Sequence, residues 1–187
     1  MRRRRIAAVT CLIVMSASLS AVRQVSAAPI CESSLPGNID PGMLETELID
    51  LLHRSPTFRR QCERIASVAV LRVKINVTHV LAPGARAQTI INRYEAGALR
   101  AEVSLCFAED YIELIAHEFE HILEQVEGVS LRDELRFHRA WITDGGAYET
   151  RRAFEAGVRA RQECDESTVE AIQVDRRKTP AIRHPFD

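Results

Sequence analysis

The segment His117-Glu118-Phe119-Glu120-His121 constrains this chain more than any other. Ile112, Ile115, Phe119, Ile122, Leu123 and Val126 recur around it and fall in one arc of a helical wheel, which predicts a half-buried helix. The helix is expected from about Asp110 to Glu127, with Gly128 as its stop. Four residues turn a helix by about 400°, so His117 and His121 share one face, roughly 6 Å apart along the axis. That face lies nearly opposite the apolar arc and leaves both imidazoles on a cleft. Two imidazoles so placed suit two corners of a tetrahedral zinc site. Glu118 is turned about 100° from His117, beside such a metal rather than on it. There it is placed to take a proton from a metal-bound water.

The rest of the chain arranges itself around this helix. Residues 28–40 read as an extended lead-in. Pro41 opens a helix marked by Met43, Leu44, Leu48 and Leu51, and a second short helix runs from Pro56 to about Ile65. The period then changes to two. Leu71, Val73, Ile75 and Val77 alternate with polar residues in a strand; Thr89, Ile90 and Ile91 lie in a second. Ala101, Val103 and Leu105 mark a third, after a hairpin loop at Glu95-Ala96-Gly97. The expected class is α+β, with a small antiparallel sheet before the main helix. Residues 129–143 follow no clear period. A last helix is expected from Asp144-Gly145-Gly146 to about Cys164, and 165–187, poor in large apolar groups, read as a flexible tail.

Residues 1–27 have the features of a secretory signal: Arg2 to Arg5, an apolar run from Ile6 to about Val22, and the small-residue end Val25-Ser26-Ala27. Export to the periplasm or medium, with cleavage after Ala27, is expected, leaving a domain over 28–164. The leader carries five arginines and no acid, so the remainder holds 20 basic against 26 acidic residues. An acidic domain argues against nucleic acid or an anionic membrane as partner. Cys31, Cys62, Cys106 and Cys164 remain after cleavage, an even number in an oxidising compartment. The preferred pairing is Cys31–Cys62 and Cys106–Cys164.

The stretch from Ile115 to Leu123 resembles the active-site helix of the zincin metallopeptidases, and the sheet–helix–helix order over roughly 68–164 is similar to their core. Glu124 and Glu127 stand where the metzincin extension has glycine and a third histidine. The resemblance is therefore to a small gluzincin, whose third zinc ligand is a glutamate on a later helix. It implies an enzyme hydrolysing a peptide or protein substrate through a zinc-bound water, with His117 and His121 as ligands and Glu118 as base. Glu149 is the candidate third ligand. Its helical face is expected to carry Ala153, Ala156 and Ala160, small enough for two helices to approach closely; Glu155 is the runner-up. Many gluzincins carry an acid four positions after the third ligand to hold a histidine, but here that residue is Ala153. Glu113 and Glu124 are the substitutes on offer, each also readable as an ordinary exposed acid. His138, Tyr148 and Tyr111 are candidate oxyanion donors. Cys106 precedes the helix as the ligand cysteine does in deformylases, though a disulfide suits an exported thiol better. The competing reading is a zinc-binding or interaction module of this fold without turnover.

Overall fold

The computed structural model describes residues 34–81, 84–106, 110–144 and 146–178. The leader over 1–27 and Cys31 lie outside the described residues. Helix α1 (Glu45–Arg54) follows a 3-10 turn and is separated from α2 (Pro56–Ala66) at Ser55. The Ser55 hydroxyl accepts from the Phe58 amide at 3.0 Å, and Pro56 occupies the first helical position, where its missing N–H costs nothing. Leu48, Leu51, Phe58 and Ile65 are fully buried between these helices and the sheet.

The sheet is mixed rather than antiparallel. Strands β1 (Ile39–Asp40), β2 (Leu71–Thr78), β3 (Ala87–Arg93) and β4 (Leu99–Cys106) lie in the order β1-β2-β4-β3. β4 pairs parallel with β2 and antiparallel with β3, while β1, within the expected lead-in, adds a short parallel edge. Burial explains the order. β4 buries Leu99, Ala101, Val103 and Leu105, and β2 buries Leu71, Val73 and Ile75, so both take central positions. β3 carries Gln88, Asn92 and Arg93, has no buried residue and takes the edge.

Helix α3 (Tyr111–Val126) lays Ile115, Phe119 and Ile122, all fully buried, over the core, with the Phe119 ring 5.1 Å from that of Phe58. The segment without clear period forms α4 (Leu131–Arg136) and β5 (Ala140–Ile142). β5 pairs antiparallel with β6 (Tyr148–Thr150), so residues 146–150 belong to a hairpin turn and strand rather than to the start of a helix. Gly146 donates to the Thr143 carbonyl at 2.9 Å from a positive φ of 79°, a conformation that glycine adopts freely.

Helix α5 then runs from Arg151 to Lys178. It continues well past Cys164, so residues 165–178 are helix rather than a loose tail; Arg54 holds Ser167 and Thr168 through their side-chain oxygens. α5 crosses α3 on Ala153, Gly157 and Ala160, all buried. A Cβ on Gly157 would lie 2.7 Å from the Glu113 carbonyl oxygen and 3.3 Å from the His117 Cβ. Among the described residues Cys62, Cys106 and Cys164 are free thiols, so the expected Cys106–Cys164 bridge is not formed, while the expected Cys31–Cys62 pair involves a residue outside the described ones. Cys164 is fully buried in the core, whereas Cys106 ends β4, only part-buried.

Candidate metal centre

His117, His121 and Glu149 converge. His117 Nε2 lies 3.1 Å from His121 Nε2 and 2.8 Å from Glu149 Oε2, which is 3.7 Å from His121 Nε2. A tetrahedral ion with ligands at about 2.0–2.2 Å holds its donors roughly 3.3–3.6 Å apart. The observed separations bracket that range, so the group can hold a metal ion. All three residues are part-buried.

Glu149 reaches the histidines from β6, not from a helix. In the ribbon it sits directly across from Trp141, so the two side chains share a face. Tyr148, one residue earlier, is exposed on the other face of the ribbon. The next residue, Thr150, is fully enclosed and caps α5: its hydroxyl accepts from the Ala153 amide at 3.0 Å. That hydroxyl also donates to Glu124 Oε1 at 2.6 Å. The other Glu124 oxygen lies 3.0 Å from His121 Nδ1. Glu124 is therefore a buried acid that orients the His121 imidazole and leaves its Nε2 facing His117 and Glu149, the position for which Ala153 offers no acid. One residue, Thr150, ties this carboxylate to the strand that delivers Glu149.

Glu118 is only 6% exposed and lies on the sheet side of the histidines. Its Oε2 accepts from the Thr89 hydroxyl of edge strand β3 at 2.6 Å. Burial lifts its carboxyl above the ordinary range; the Thr89 bond and the two imidazoles pull the other way, and Glu149 adds to the rise. Burial would also lower His121, but Glu124 and Glu149 overcome it and hold the imidazolium up to about 10. Glu149 is likewise raised by burial and then brought down to about 2 by the close His117 contact and the nearby His121 imidazole. In the metal-free protein the His121 imidazolium is thus favoured by the carboxylates of Glu124 and Glu149.

The remaining candidates fall elsewhere. Glu155 is exposed on the far flank of α5, and Cys106 is not part of the cluster. Tyr111 is turned toward Asp50 and Glu47 of α1, and His138 is exposed after α4 with φ 55°. Thr89 and Thr150 carried no signal in sequence, since a threonine in a strand is ordinary. No family model matches the chain, and no curated protein or solved structure matches it.

Proposed function

We propose that the chain is an exported zinc-dependent metallopeptidase with a zincin-like core of the small gluzincin type. The observation that carries this reading is the convergence of two imidazole nitrogens and one carboxylate oxygen beside a buried, hydrogen-bonded Glu118. The donor set fits zinc, which takes nitrogen and oxygen donors in four-coordinate sites and keeps an open position when catalytic. His117, His121 and Glu149 would hold the ion. Zinc, when bound, lowers the pKa of water and polarises a carbonyl.

The chain's own residues supply the proton chemistry. Thr89 occupies Oε2 of Glu118 and leaves Oε1 to receive a proton and pass it to the leaving amine. The raised pKa of Glu118 brings it nearer the operating pH, as a general base requires. Glu124 fixes the His121 ring, and Trp141 flanks Glu149 on the ribbon face. The substrate in this reading is a peptide or protein met outside the cytoplasm after loss of residues 1–27. Among the described residues, no helix is long and apolar enough to cross a membrane.

Glu118→Gln keeps the size of the side chain and removes its basicity. It is expected to slow hydrolysis of a mixed peptide library by roughly 10²–10⁴-fold with zinc retained. Unchanged turnover contradicts the role of Glu118. A zinc-loaded wild type that cleaves nothing in the library supports a zinc-binding module without turnover instead. N-terminal sequencing of exported protein should begin at Ala28.

A further inference from the structure

A cleft of about 460 Å³ opens between α2, α3, α4 and α5. Glu120 and Glu127 form its α3 wall, turned about 60–80° from His117 in one direction, while Glu118 is turned about 100° in the other. The cleft is therefore separate from the candidate metal centre. Six arginines and four glutamates line it. This positive excess stands in a chain whose residues beyond 27 carry more acids than bases.

Three of the arginines are committed to the protein itself. Arg152 bridges Glu120 and Glu127 at 2.6 Å each, Arg64 takes the other Glu127 oxygen at 2.7 Å, and Arg139 grips both oxygens of Glu134. These pairs consume three of the four carboxylates and brace the walls. Arg60 of α2 and Arg151 and Arg159 of α5 remain, exposed and without a carboxylate partner among the described residues. Glu155 stands between Arg151 and Arg159 on the helix and pairs with neither. Guanidinium forks present parallel N–H donors that match an oxyanion better than a point charge does.

We propose that this cleft binds a small, multiply charged oxyanion, held by Arg60 on one wall and Arg151 and Arg159 on the other. The shared chemistry is a cluster of anionic oxygens, and two sources supply it: a phosphate-bearing molecule or a polycarboxylate.

The test is calorimetric titration of the mature chain with inorganic pyrophosphate and, separately, with citrate, at low ionic strength. Each titration is repeated in His117→Ala, so that chelation at the metal centre plays no part. Saturable binding of pyrophosphate, citrate or both in His117→Ala supports the site, and the preferred ligand identifies the source. The triple variant Arg60→Gln/Arg151→Gln/Arg159→Gln should lose at least about tenfold in affinity, while Glu155→Gln, which removes a carboxylate from the same wall, should bind more tightly. All four positions are exposed, and circular dichroism verifies that the variants are folded. Absence of saturable binding by both ligands overturns the proposal, as does equal affinity in the triple variant. Failure here leaves the peptidase reading intact, because that reading rests on zinc content and Glu118.

Discussion

Gly157→Ala sets two effects of opposite sign against each other. Alanine is favoured over glycine in a helix by about 1 kcal/mol. Against this, the new Cβ would stand 2.7 Å from the Glu113 carbonyl oxygen, with the His117 Cβ 3.3 Å away. Ordinary C···O contact begins at roughly 3.3–3.6 Å, so α5 must move from α3 by about 0.6–0.9 Å. The obstructing atom is helix backbone and has no rotamer to escape through. Overpacking of this kind costs about 1–3 kcal/mol, and a rigid partner puts this site at about 2–3. The net destabilisation is then about 1–2 kcal/mol. At this chain size that lowers Tm by about 3–6 °C. Thermal unfolding of the metal-free protein measures it without the contribution of ligand binding. The same displacement moves Glu149 and His117 apart, so zinc affinity should fall about tenfold, or about 1.4 kcal/mol. A Tm that is unchanged or raised would refute the close helix crossing, because propensity alone predicts a rise.

Three further outcomes follow from the site. Thr89→Val removes a hydrogen bond that lowers the Glu118 pKa; the acid limb of the kcat/KM profile should move to higher pH, and an unmoved limb contradicts the contact. Glu124→Gln should weaken zinc binding by about 10–100-fold with little loss of fold, as read by competition with a chromophoric chelator; unchanged affinity would show that His121 is oriented without Glu124. His121 is held at about 10 against an ordinary 6.5, so its share of metal-free stability is complete below 6.5 and is lost as pH rises through 10. Tm of the metal-free protein should fall over that window, and zinc binding at neutral pH should release at least one proton, visible as a dependence of binding heat on the buffer's ionisation enthalpy. A flat profile with no release would contradict a protonated His121.

The parts of the fold written in strong periodicity were legible. Ile115, Phe119 and Ile122 repeat at helical spacing, and the structure buries them. Leu71, Val73 and Ile75 alternate, and their strand lies where the period places it. Sheet order was not legible: alternation shows which face is buried but not which neighbour a strand takes, and β4 inserts between β2 and β3. The ribbon carrying Glu149 is strand where helix is expected, because three-residue strands are too short to show a period. Asp144-Gly145-Gly146 serves a helix start and a hairpin turn equally well. Glu149 nevertheless joins the histidines, through a strand that ends in the Thr150 cap. The alanine stripe was legible as a packing seam, but that Gly157 faces the Glu113 carbonyl is a tertiary fact. Glu124 was legible only as one acid among several; its burial and its bonds to His121 and Thr150 are tertiary facts.

The proposed function stands on His117, His121 and Glu149 holding one zinc ion. Elemental analysis of the mature protein, loaded with zinc and dialysed against metal-free buffer, measures this. One zinc per chain is expected in the wild type, a strong loss in Glu149→Ala, and none in His117→Ala or His121→Ala, with all variants folded. A folded wild type that retains no zinc, or a His117→Ala variant that retains one per chain, would contradict it.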